Sequence, residues 1–249
     1  MNCMKVIFLS DAHLNDDQTD TYRNLLSFFQ EKAGKVDRIY IVGDFFDFWF
    51  CRPAALYPPF RKMVECLESL REAGTDVVLF EGNHDFFLHD FFGPRGFITY
   101  PDGADIILDD KKIYVAHGDR ADRDNWSYMA WRGFLRSPIF YRMQQALPPP
   151  LLWSLARKCS RLSRRRGDEG CERLAGKIEA YAFEKLDEGY DGAVFGHCHR
   201  PAIKEQVSAN GTGVLVTLGD WSRHCSYVMY EYGSFRPCYY RGNGPKDRS

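Results

Sequence analysis

A chain of 249 residues, 45% hydrophobic and 27% charged, can bury a large core and is too apolar to be disordered. Its net charge of -1 gives no overall field toward nucleic acid or membrane, so any such contact must come from a local patch. The apolar run in MNCMKVIFLSDAH is too short for a signal-peptide core, and no run elsewhere is long enough to span a bilayer. The eight cysteines contain no C-x-x-C pair, so reduced thiols in a cytoplasmic compartment are the expectation.

In chain order, residues 5–10 (KVIFLS) predict a buried strand and residues 19–33 a helix. Residues 38–43 (RIYIVG) predict the next strand, residues 60–73, closed by Gly74, the next helix, and residues 77–80 a third strand. This β-α-β-α-β order predicts parallel strands covered by helices. Residues 106–108 and 113–116 predict a hairpin. Residues 193–195, 214–218, 227–232 and 238–240 follow at the short spacing of antiparallel strands. Between these halves, about 122–189 is helix-rich and broken by Pro138 and Pro148-Pro149-Pro150. It reads as an insertion on a single α/β domain spanning residues 1–249.

Polar clusters stand just after five of the strands: Asp11-Ala12-His13, Gly43-Asp44-Phe45-Phe46-Asp47, Gly82-Asn83-His84-Asp85, His117-Gly118-Asp119 and Gly196-His197-Cys198-His199. Strand ends in open α/β sheets share an edge, and ligands bind there. Any one cluster alone reads as a capping or surface turn. Five together converge imidazoles and carboxylates, a donor set that suits first-row divalent metals such as Mn, Fe or Zn. One carboxylate between two clusters can bridge two cations, the geometry that cleaves phosphate esters.

With D-x-H, GD-x-x-D, GN-H-D, H and GH-x-H in order, the chain resembles the calcineurin-like binuclear metallophosphoesterases. The resemblance implies a four-layer αββα sandwich. It also implies one metal on Asp11, His13, Asp44 and His199, and a second on Asp44, Asn83, His117 and His197. His84 would face the substrate, and Asp47 would accept a hydrogen bond from its ring. A scaffold with this fold and a degraded site is the non-enzymatic alternative, against which the complete set argues.

More narrowly, HGDRADRDNWSYMAWRGFLRSPIFYRMQQALP, GHCHRP and VTLGDW resemble the UDP-2,3-diacylglucosamine pyrophosphatases of lipid A synthesis. That resemblance implies a helical insertion capping the active site and receiving acyl chains, two divalent cations (Mn foremost), and release of UMP. It implies a phosphorylated lipid or UDP-sugar as substrate, met at the cytosolic face of an inner membrane, with Asn125, Tyr128, Arg132, Ser160 and Arg161 at the substrate. The apolar residues Trp126, Tyr128, Trp131, Phe134, Ile139, Phe140, Met143 and 151–153 (LLW) fit such a cap, although a helix must also bury one face against the body. The basic run at 157–166 meets either an anionic bilayer surface, the diphosphate, or only solvent. No nucleic-acid module accompanies it, and no protein partner is evident.

Four positions depart from the narrower pattern. The resembled enzymes carry Arg after the Asn and Glu in place of Asp47, whereas this chain has His84 and Asp47. Their Asp-Asp in the insertion is Asp124-Asn125, and their G-A-W is Gly219-Asp220-Trp221. The first pair restores the general phosphoesterase pattern, so a phosphatase or phosphodiesterase acting on another lipid, nucleotide or protein phosphoester is the alternative reading. His89 and His224 fit no motif and are expected at the surface or in packing.

Overall fold

The computed structural model of the chain describes residues 4–164, 171–208 and 211–242. Its first half alternates strand and helix as the patterning predicts. β1 (Val6–Leu9), β2 (Arg38–Val42) and β3 (Asp76–Phe80) run parallel. Between them lie α1 (Asp20–Lys32) and α2 (Arg61–Glu72). The Thr19 side chain caps α1 by accepting from the Tyr22 amide, which fixes where the helix starts. A short helix, α3 (His89–Phe92), leads to β4 (Ile98–Tyr100) beside β3.

The hairpin of β5 (Ala104–Leu108) and β6 (Lys111–Ala116) opens a second sheet. Then come α4 (Trp126–Leu135), α5 (Pro138–Ala146), α6 (Pro149–Arg164) and α7 (Cys171–Asp187). β7 (Gly192–Phe195), β8 (Ala202–Ser208) and β9 (Gly211–Thr217) complete the second sheet, in the order β5-β6-β7-β9-β8. After α8 (Trp221–His224), the hairpin of β10 (Ser226–Glu231) and β11 (Ser234–Tyr239) returns to the first sheet, in the order β11-β10-β1-β2-β3-β4.

The late strands do not all run antiparallel as their spacing suggested. β7 pairs parallel with both β6 and β9. The reason is β8, an edge strand whose side chains are exposed or half-buried and therefore carry little apolar signal. It takes the antiparallel return, so β9 re-enters beside β7 in the parallel sense.

Period-2 alternation sorts the first sheet's side chains into two cores. Ile7, Leu9, Ile39, Ile41, Val77 and Leu79 pack under α1 and α2, against residues such as Leu25, Phe28, Met63 and Leu67. Val6, Phe8, Tyr40, Val42, Val78 and Phe80 face the second sheet's Ile113, Val115, Val194 and Val216. The outer face of the second sheet, with Ala193, Phe195 and Leu215, is covered by Ile178 and Ala182 of α7. Three cores between four layers give an α-β-β-α sandwich with both sheets buried on both faces. Within the helix-rich stretch, α7 thus belongs to the outer layer over the second sheet, while α4 to α6 lie elsewhere. Cys51, Cys66, Cys198, Cys225 and Cys238 are free thiols.

Candidate metal centre

The loops after β1, β2, β3 and β7 line a crevice of about 1040 Å³, together with Asn125 and Tyr128 near the start of α4. Three groups of potential ligand atoms lie in and beside it, each group within 4.8 Å: Asp11, His13 and His199; His13, Asp44 and His84; Asp44, His117 and His197. Asn83 joins the third, its Oδ1 3.2 Å from His117 Nε2. His13 Nε2 stands 3.9 Å from both Asp11 Oδ1 and Asp44 Oδ2, and His117 Nε2 3.5 Å from Asp44 Oδ2. Those gaps are long for hydrogen bonds. Ligand atoms that each sit about 2.0–2.2 Å from one cation stand about 3–3.6 Å apart around it, so the set fits a divalent metal with modest adjustment. Asp44 belongs to both of the last two groups.

Tight turns bring these side chains together. Asp11, His13, Asp44, His197 and His199 all adopt positive φ, at 55°, 47°, 51°, 67° and 55°. Outside glycine such backbone costs of order 1–3 kcal/mol per residue and marks sites where the surroundings over-determine the conformation. The β1 and β2 loops are zipped by amides of Asp11 and His13 donating to the carbonyls of Gly43 and Asp44, at 3.2 and 3.0 Å. Gly82 lets the β3 loop lie against the backbone and side chain of Asp44, where a Cβ would collide.

Asp85 explains the carboxylate of the Gly82-Asn83-His84-Asp85 cluster. Wholly buried, it accepts from the amides of Asp44, Phe45, Phe46 and Gly82 at 2.7–3.1 Å. It thereby splints the β2 loop to the β3 loop, a role the sequence reading left unassigned. The nearest sequence signal was only its place as the last residue of a strand-end cluster.

Two of the imidazoles are held by their second nitrogen. His117 Nδ1 donates to the Val42 carbonyl at 3.0 Å, leaving Nε2 toward Asp44. His84 Nδ1 donates to the backbone carbonyl of Asp47 at 3.1 Å. This corrects the expectation that the Asp47 carboxylate would hold the ring: that carboxylate instead accepts from Asn15 Nδ2 at 3.3 Å, because the turn presents its main chain to the β3 loop. His84 Nε2 reaches to 4.0 Å from Asp44 Oδ2, so the ring lies against the ligand cluster as well as the crevice.

The electrostatics follow from burial opposed by dense pairing. Burial alone would raise the Asp11 carboxyl, but its hydrogen bond with His199 and the nearby His117 hold it at about 2. Asp44, equally buried, is held well below the usual carboxylate range by His117, His84 and His13. Burial should depress His117, yet Asp44 beside it lifts the ring to about 10. His197 has burial and the His117 charge against it, and falls to about 4.

Of the residues expected at the substrate, Asn125 and Tyr128 border the crevice. Asn125 also caps α4, accepting from the Tyr128 amide at 3.2 Å, and Tyr128 Oη donates to Asp119 at 3.0 Å. Arg132 does not line the crevice. Its Nε donates to Asp119 at 2.6 Å and its Nη2 to Asp102 at 2.7 Å, so two carboxylates engage it in docking α4. The side chains of Ser160 and Arg161, like Arg165 and Arg166, lie outside the described residues. Arg136, absent from the sequence reading, bonds Glu81 at 2.7 Å and the carbonyls of Pro101 and Gly82 at 2.8 and 2.7 Å. His89 and His224 are exposed, as expected.

A family model described as calcineurin-like phosphoesterase matches residues 4–201, and the chain belongs to that family. It is 31% identical to a UDP-2,3-diacylglucosamine hydrolase from Azotobacter vinelandii, over 93% of this chain and 96% of that one. A protein of the same description from Marinobacter nauticus is 30% identical over 89% of this chain and 91% of its own. Among solved structures, a dimetal phosphatase from Danio rerio aligns with a TM-score of 0.42 and 13% identity, over 96% and 99% of the two chains. The chain is a metal-dependent hydrolase whose cofactors are divalent cations.

Proposed function

We propose that the chain hydrolyses the diphosphate of UDP-2,3-diacylglucosamine, giving UMP and 2,3-diacylglucosamine 1-phosphate. The observation that carries the proposal is the pair of ligand groups joined through Asp44 at the common end of two sheets, in a chain similar throughout to hydrolases of that substrate. Asp11, His13, Asp44 and His199 would hold one cation, and Asp44, Asn83, His117 and His197 a second. The imidazole–carboxylate donor set favours Mn, with Fe or Zn close behind. Two such cations supply Lewis-acid polarisation of the phosphoryl oxygens and a nucleophilic water at neutral pH.

The chain's own residues do the rest. His84, its Nδ1 fixed on the Asp47 carbonyl, presents Nε2 to the crevice, where it hydrogen-bonds a phosphoryl or leaving oxygen. Asn125 and Tyr128 border the same space from α4. Trp126, Trp131, Ile139 and Met143, each more than half exposed, offer apolar surface on α4 and α5, in keeping with a cap for acyl chains. Leu151 and Leu155 are exposed on α6, with Arg157 and Lys158 further along the same helix. That juxtaposition supports a peripheral contact with an anionic, cytosolic membrane surface. Among the described residues no helix is long and apolar enough to cross one.

The test compares the acylated and deacylated UDP-sugar with Mn²⁺-loaded protein. A KM at least tenfold lower for the acylated substrate is expected, and equal turnover of both would remove the cap from the proposal. His84 supports a second reading, hydrolysis of an alkyl phosphoester, since its ring can donate a proton that an arginine in its place could not.

A further inference from the structure

Asp220 follows β9, at one of the positions where the chain departs from the enzymes it resembles. It is wholly buried and its backbone is pinned: it bridges to Ser10, the residue before Asp11, and its carbonyl accepts from Ser226 Oγ at 2.9 Å. Its Oδ1 lies 2.6 Å from Nδ1 of the exposed His224. Its Oδ2 accepts from Ser222 Oγ at 3.3 Å and faces His199 Nδ1 at 3.7 Å. His199 turns its other nitrogen, Nε2, to Asp11 Oδ1 at 3.1 Å.

His117 and His84 each rest Nδ1 on a backbone carbonyl. His199 meets a carboxylate there instead. A buried carboxylate is expensive unless every lone pair has a use, and His224 with Ser222 satisfies only the outer side of this one. The inner side points at an imidazole whose far nitrogen belongs to a ligand group. Metal-bound imidazoles commonly donate the other ring N–H to a carboxylate, which fixes the tautomer and strengthens the ligand.

We propose that Asp220 is the positioning residue of His199: its carboxylate accepts a hydrogen bond from Nδ1–H, which keeps the proton on that nitrogen and thereby commits Nε2, beside Asp11, to the cation, while Ser222 and His224 hold the carboxylate in place. The proposal rests on the reading of Asp11, His13 and His199 as ligands. It assigns this chain a support for one cation and not for the other.

Asp220→Asn, which preserves volume and removes the charge, tests it on the full chain. Two readouts are taken: Mn²⁺ binding isotherms, and side-chain ¹⁵N shifts of His199 without metal. The variant should weaken one of two Mn²⁺ ions by about 10–100-fold, leave the other unchanged, and shift His199 toward mixed tautomers. His224→Ala, which only loosens the carboxylate, should give a smaller loss at the same ion. Unchanged affinities with an unchanged His199 tautomer would overturn the proposal alone. Equal loss of both ions, or an unfolded Asp220→Asn together with a silent His224→Ala, would assign Asp220 to packing and overturn it too. Wild-type protein that binds no Mn²⁺ would bring down the ligand reading and this proposal with it.

Discussion

At the scale of single residues, Asp44 has the most to lose. It stands in two ligand groups, and one of its oxygens accepts from the His84 amide at 2.9 Å. If Asp44 bridges two cations as proposed, Asp44→Ala should drop Mn²⁺ stoichiometry from two to one or none and abolish hydrolysis, whereas His89→Ala, on an exposed helix start, should change neither. Equilibrium dialysis decides it, and two ions retained in Asp44→Ala would contradict the bridge. Protons report on the same centre. Asp11 at about 2 and His197 at about 4 are already in their metal-binding forms at neutral pH, but Asp44 keeps His117 protonated up to about 10. Cation uptake must expel that proton, so affinity should rise about tenfold per pH unit through the neutral range. Calorimetry in buffers of different ionisation enthalpy should register at least one proton released per protein, and none would be a contradiction. The third residue is His84. A diphosphate expels a phosphate monoester with a second pKa of about 6, which leaves without much help, whereas an alkoxide needs an acid worth about 10²–10⁴-fold. His84→Arg should therefore keep appreciable activity on UDP-linked diphosphate and lose alkyl phosphoesters. Wild-type protein that turns over alkyl esters well and the diphosphate hardly at all would favour the second reading.

Elements come next, and α4 is held by charge as much as by packing. Arg136 at its C-terminal end neutralises Glu81, a nearly buried carboxylate just past β3 that also accepts from the Leu88 amide at 2.9 Å. Removing one partner of a buried pair leaves the other charge stranded, which costs roughly 3–5 kcal/mol. Arg136→Met should lower stability by about that amount in urea and speed amide exchange across α4 and α5, and a change under 1 kcal/mol would show that the pair is solvated. No pattern in the sequence announced this contact, because Glu81 and Arg136 are 55 residues apart and each looks ordinary alone. The strands β1 to β3 and the helices α1 and α2 were legible, since alternation and capping are local. β4, at three residues, and the half-exposed β8 carry too little apolar signal to be seen. The strand-end clusters were legible as types and spacings. The main-chain partner of His84, the splint of Asp85 and the orientation of Asp220 were not, because they depend on how separate turns face one another.

For the whole molecule, the sandwich is sealed on both sides by helices, yet the aromatic surface of α4 and α5 stays open, the face that the proposed cap would offer to acyl chains. The left-handed turns carry a further consequence, one of lifetime. Five residues hold unfavourable backbone and present donors suited to cations; the energy would be recovered when metal arrives and would stand as a deficit when it is withheld. Ligand that binds only the folded state adds about 2.7 kcal/mol at a hundredfold excess over Kd. His13→Gly, which relaxes one turn at the loss of one donor, should melt higher than the parent under chelator and lower than it in excess Mn²⁺, and a variant lower in both would deny the strain. If the crossover holds, a newly made chain that finds no metal is the one proteases remove first. Abundance of the enzyme would then follow the cell's metal supply with no regulator in between.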